Sequence, residues 1–173
     1  TVRDSVITGA GTPGTGQGGG GYVFAGMADF ENVTFRDNYS AMGADLYVST
    51  GADVSLTAVT LEGGQANYGG SVYVLNATIR FDTVDVENST SQYSGGFAYL
   101  NGATFDATAL EVDGAVSSGG YGGAVFALGR SALVWDGGEI NDCVIEDPSY
   151  SGGGLHLTDS SALVANDLEL DAN

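Results

Sequence analysis

One short pattern recurs along this chain and constrains its fold more than any other feature: glycine, a spacer, then an aromatic ring between two apolar residues. The hexapeptides GGYVFA, GADLYV, GGSVYV, GGFAYL, GGAVFA and GGGLHL begin at residues 20, 43, 69, 95, 122 and 152, at spacings of 23, 26, 26, 27 and 30. A recurrence of this period is the signature of a solenoid. Each unit carries a second pattern further on, with apolar or small residues at relative positions 0, 2, 5 and 7. The sets begin Ala28/Phe30/Val33/Phe35 and Val54/Leu56/Val59/Leu61 and continue to Leu163/Ala165/Leu168/Leu170. A spacing of two is the strand period, and the jump from 2 to 5 predicts a corner residue between two short strands. No segment sustains the pattern of an amphipathic helix.

A unit of about 26 residues cannot bury its apolar face alone, whereas stacked units can, by pairing each strand with its copy ~4.8 Å away. The expected fold is therefore all-β: a right-handed parallel β-helix of about six coils. An antiparallel sandwich or barrel also has short strands but gives no reason for a glycine pair at this interval. The pair predicts a recurrent corner, where positive φ or close backbone stacking excludes larger residues. The inward set expected from the hexapeptides is Val23, Leu46, Val72, Ala98, Val125 and Leu155, with Ala25, Val48, Val74, Leu100, Ala127 and Leu157 two residues later.

Composition narrows the function classes. The chain of 173 residues holds 29 Gly, 22 acids, four Arg and no Lys, for a net charge of −18. That balance argues against nucleic acid as a partner and favours solubility or cation binding. No apolar run approaches a membrane span, so this segment is not expected to insert in a membrane. Cys143 is the only cysteine, which excludes an intrachain disulfide.

The motif GGAV (122–125), together with the strand end FRDN (35–38), resembles the polymorphic outer-membrane protein repeat of chlamydiae and other bacteria. The middle units depart from the second half of that motif: Gly64, Ser89, Ala115 and Cys143 stand where Asn38 stands. The resemblance implies a β-helix passenger of secreted surface proteins with adhesive roles, and hence an extracellular or cell-surface address. On this reading residues 1–173 form one repeat domain, a segment of a longer array. Its ends carry no polar cap, so stacking of copies into a filament is an alternative.

In a β-helix every repeated position becomes a straight row. The first row is Phe24, Tyr47, Tyr73, Tyr99, Phe126 and His156. It lies between inward positions, so alternation points it outward, either as a self-supporting ladder or as a strip that binds protein or glycan. A looser second row comprises Tyr39, Tyr68, Tyr93, Tyr121 and Tyr150. The third is acidic: Thr34, Thr60, Asp85, Glu111, Glu139 and Glu169, shadowed two residues later by Arg36, Glu62, Glu87, Asp113, Asn141 and Asp171. Asp85, Glu87, Glu111 and Asp113 read either as a merely solvated face or as a weak divalent-cation site, with calcium as the candidate ion; the GGxGxD spacing of regular calcium β-rolls is absent. No other cofactor is implied.

Four sequons offer Asn32, Asn38, Asn76 and Asn88 as glycosylation acceptors, or as turn residues bonding to the backbone. An enzyme is not the expected reading. The only His sits in the aromatic row, the stretch GAGTPGTGQGGGG (9–21) lacks the GK[ST] of a phosphate loop and reads as an extended corner loop. Carboxylate pairs such as Asp82 and Asp106 arise from stacking alone. The expected role is a structural or adhesive solenoid whose partners are proteins, glycans or copies of itself, with a carbohydrate-binding or carbohydrate-active module as the competing class.

Overall fold

The computed structural model describes residues 1–11 and 14–173. Thr12 and Pro13, within the stretch 9–21 that the sequence reads as a corner loop, lie outside the described residues. Nineteen strands and no helix occur among the described residues. In chain order they are β1 (Val2–Thr8), β2 (Gly21–Phe24), β3 (Met27–Arg36), β4 (Tyr39–Met42), β5 (Leu46–Ser49), β6 (Asp53–Glu62) and β7 (Gln65–Tyr68). Next come β8 (Val72–Leu75), β9 (Thr78–Glu87), β10 (Thr90–Ser94), β11 (Ala98–Asn101), β12 (Thr104–Asp113) and β13 (Val116–Ser117). The last coils hold β14 (Val125–Leu128), β15 (Ala132–Asn141), β16 (Val144–Ile145), β17 (Leu155–Leu157), β18 (Ala162–Asn166) and β19 (Glu169–Asp171).

These strands form three parallel sheets, each taking one strand per lap. The long sheet runs β1-β3-β6-β9-β12-β15-β18, with β19 also on β15; the second runs β16-β13-β10-β7-β4 and the third β17-β14-β11-β8-β5-β2. The chain is thus a β-solenoid of about six turns, ~29 Å along its axis at the strand spacing of parallel sheets. Val72 and Val125 both pair with Ala98 in the third sheet, as direct stacking of laps requires.

The inward columns follow the sequence pattern. Val54, Ile79, Phe105 and Leu133 stack in register, as do Leu56, Phe81, Ala107 and Trp135, and all eight are buried. Aromatic rings run up the middle of this core, with Phe81 5.0 Å from Phe105 and Phe105 5.4 Å from Trp135.

The expected corner inside each long strand is a kink rather than a break. β3, β6, β9, β12 and β15 each run through ten residues, with the left-handed region occupied at Asn32, Ala58, Thr83, Ala109 and Gly137. One left-handed residue resets the alternation: Thr57 and Ala58 both face out, and Val59 turns back to the core. Only in the last coil does the corner separate two strands, around Asp167 between β18 and β19.

The glycine pair divides its work. The first member holds a positive φ in every coil, 61° at Gly69 and 67° at Gly95. The second lies where coils touch backbone to backbone: a Cβ on Gly96 would collide with the carbonyl oxygen of Gly123.

The first coil corrects the expected register. Gly21 pairs with Leu46, Tyr22 with Tyr47 and Val23 with Val48. The coil therefore aligns from Gly18, at φ 61°, with Gly43, a spacing of 25 instead of 23. Four consecutive glycines, Gly18 to Gly21, fit the pattern at two offsets, and the sequence alone does not choose between them. Val23 still packs against the core, but Ala25 is an exposed corner residue at φ 46°, not an inward one.

Candidate functional site

The aromatic row is real, with one member exchanged. Tyr22, not Phe24, heads it; Phe24 pairs with Ser49 and is 57% exposed beside Tyr22. From there Tyr22, Tyr47, Tyr73 and Tyr99 stack with ring centroids 5.2, 5.2 and 4.8 Å apart and planes within 10° of parallel. Phe126 and His156 continue the row, tilted, at 5.2 and 5.4 Å.

The row is a ladder more than a strip. Tyr47, Tyr73 and Phe126 point away from the core yet are only 4%, 9% and 8% exposed, because each ring spends both faces on its neighbours. The second tyrosine set covers more of it. Tyr68 meets Tyr99 edge-on at 5.3 Å, and Tyr121 lies 5.9 Å from Phe126 and 4.4 Å from His156. Burial pushes the Tyr73 phenol up, and the neighbouring Tyr99, Tyr47 and Tyr68 add to it. The middle of the row therefore offers a ligand little surface. His156 Nδ1 lies 3.2 Å from the Ser151 carbonyl oxygen, an interaction that holds the ring within the row.

The acidic rows are in register. Asp85 pairs with Glu111 and Glu111 with Glu139; Glu87 pairs with Asp113. These carboxylates form two parallel lines on the long sheet. Among the described residues no group of three or more His, Cys, Asp or Glu side chains converges to hold a metal ion. Three arginines pair with other acids of the long sheet, Arg3 with Glu31 and Arg36 with Glu62, both at 2.7 Å, and Arg80 with Asp53. Asp82 and Asp106 are not opposed: Asp106 faces Arg80 and Asp82 faces Thr108.

The four sequons separate by burial. Asn32, Asn76 and Asn88 are exposed and left-handed, at φ 54°, 49° and 53°, a conformation Asn tolerates better than most residues. Asn38 is fully buried and cannot accept a glycan in the folded chain. Its Nδ2 donates to Ile7 O at 3.1 Å and to Asp45 Oδ1 at 2.8 Å, while its Oδ1 accepts from Ala10 N at 2.9 Å. Asn173, at the same place in the last coil, repeats this device. Its Nδ2 donates to Ile140 O at 2.7 Å and its Oδ1 accepts from Cys143 N at 3.0 Å. The asparagine that ends FRDN thus latches one coil to the preceding one. Where Cys143 replaces it, burial pushes the thiol up to about 11, which makes that sulfur a poor nucleophile.

Asp45 is the ionisable group that sequence reasoning passed over. It lies in an inward column with Ser71, Phe97 and Ala124 and is fully buried. Oδ1 accepts from Asn38, and Oδ2 has no hydrogen-bond partner. Burial pushes its carboxyl up to about 7, against the pull of the Asn38 and Ser71 side chains and with help from Asp37. Gly64 makes room for it, since a Cβ there would lie 2.9 Å from Oδ2. The signal was available: no other unit has an acid at that step of its repeat.

A second site was also missed. The second sheet carries a shallow groove of about 360 Å³ across β4, β7, β10 and the Ser118 that follows β13, lined by Tyr39, Gln65, Asn67, Thr90 and Gln92 among others. No charged residue occurs in any strand of the second or third sheet, whereas the strands of the long sheet carry 15 of the 22 acids. Compared with family models, curated proteins and solved structures, the chain matches none.

Proposed function

We propose that this chain is a structural and adhesive β-solenoid, held outside the cell or on its surface, that acts by presenting flat outer faces to a partner. The observation that carries this reading is the segregation of charge on a rigid frame. One sheet carries most of the acids and two sheets have strands with none, all over a continuous buried core. Such a body holds side chains at fixed intervals without needing a moving part, which suits binding by extended surfaces. The resemblance of GGAV and FRDN to the repeats of secreted bacterial surface proteins supports the same role. The four carboxylates Asp85, Glu87, Glu111 and Asp113 belong here as a solvated ridge that calcium would screen. Beads coated with the protein test the reading: they adhere to extracellular matrix or cell layers more than beads coated with an equally acidic globular protein. Equal adhesion by the two sets of beads overturns it.

A further inference from the structure

We propose that the groove across β4, β7, β10 and Ser118 is a binding site for a neutral polysaccharide strand running along the solenoid axis. This rests on the adhesive reading and supplies the ligand class for it.

The chemistry of the lining carries the inference. Gln65, Asn67 and Gln92 bring three carboxamides to one face, with Thr90 and Ser118 hydroxyls among them and Tyr39, 41% exposed, at one end. A carboxamide both donates and accepts, as a sugar hydroxyl does, and an exposed tyrosine ring offers an apolar face to the C–H side of a pyranose. Among the described residues these three carboxamides make no hydrogen bond within the protein, in contrast to Asn38 and Asn173, which are spent on the backbone. They are free to bind.

Spacing points the same way. Tyr39, Gln65 and Thr90 occupy the same register position on three successive coils. Strands repeat every ~4.8 Å, close to the length of one sugar ring in an extended glycan. A chain lying along the axis therefore meets a polar side chain at each lap. A peptide is less well served, because a strand added to a sheet needs an open edge, and the edges of β7 and β10 are both taken by neighbouring coils.

Charge selects among polysaccharides. A net charge of −18 repels a polyanion at long range, and the groove contains no Arg or Lys to compensate. Cationic partners are drawn instead to the acidic long sheet. A neutral strand remains as the ligand that this face accepts.

Calorimetry of the intact chain with cellohexaose, xylohexaose, mannohexaose and laminarihexaose tests the proposal, with hexagalacturonate and an uncharged polar peptide as the contrasting arms. At least one neutral hexaose binds and hexagalacturonate does not. Removing both exposed amides, Gln65→Ala with Gln92→Ala, weakens that binding about tenfold or more, from a few-fold per hydrogen bond. Glu111→Gln, on the long sheet, leaves it unchanged. Gln92→Glu keeps the side-chain volume and also weakens binding, which separates lost contacts from lost folding. The proposal falls if no neutral hexaose binds, if only the acidic hexamer or the peptide binds, or if the amide variants bind as wild type does. Bead adhesion without hexaose binding sinks the groove alone, and hexaose binding without bead adhesion sinks the adhesive role alone.

Discussion

At Thr83 the backbone adopts φ 56° with a β-branched side chain, one of the least favourable residue types for the left-handed region. The kink demands that conformation, and Asn32 shows which residue meets it at lower cost. Thr83→Asn is expected to stabilise the fold by about 1 kcal/mol, read from urea denaturation; no gain would mean that Thr83 compensates locally, through its hydroxyl bond to Asp82. Asp45 sets a second expectation. Its folded-state value of about 7 lies above the unfolded carboxylate value of about 3.9. Its contribution to stability is therefore fully present below about pH 4 and is lost as pH rises to about 7, a swing on the order of 4 kcal/mol. Asp45→Asn imitates the protonated form. The stability gained by the variant over wild type should grow between pH 4.5 and 7.5 and then level off. A pH-independent difference would show that Asp45 does not titrate in the folded chain.

Within a coil, the second glycine of the pair is fixed by close contact, and a glycine outside the pair gives the comparison. Gly96 sits against the Gly123 carbonyl, whereas a Cβ on Gly154 would meet nothing closer than 3.5 Å, at a φ open to any residue. Gly96→Ala should cost about 1–3 kcal/mol or more, the range for forcing atoms into a packed interior. Gly154→Ala should stay within about 0.5 kcal/mol. Thermal melts of the two variants side by side provide the comparison, and equal losses would refute the close stacking of backbones. The asparagine latch works at the same scale. Asn38 and Asn173 each satisfy a carbonyl and an amide of the coil before them, so the motif can lapse in the middle coils only where the position is filled by a small residue such as Gly64, Ser89 or Ala115. The inward columns were legible here because a period of two repeated in six units leaves one consistent register. The first coil was not, because glycine carries no side chain to mark an inward or outward position.

The whole molecule concentrates the charge of its strands on one flank. Rows such as Asp85, Glu111 and Glu139 stack like charges one strand apart, and the net charge of −18 adds a general repulsion that salt screens. Raising ionic strength from about 0.01 M to about 0.5 M, where the screening length falls from ~30 Å to a few ångströms, should raise the melting temperature. Glu111→Gln should raise it at low salt and much less at high salt. A melting temperature indifferent to salt would mean that repulsion along these rows does not limit stability. The sequence by itself determined the solenoid, its period, the core columns and the acidic rows, because each follows from residues repeating at a fixed interval along one chain. Only the tertiary structure decided which rows remain open to a partner. Tyr47 and Tyr73 point outward by alternation but are closed off by stacking on neighbouring coils, with Tyr68 and Tyr121 leaning over the row from a different corner. The groove is open for the converse reason. Tyr39, Gln65 and Thr90 share one register position but no residue type, so their juxtaposition exists only once the laps are stacked.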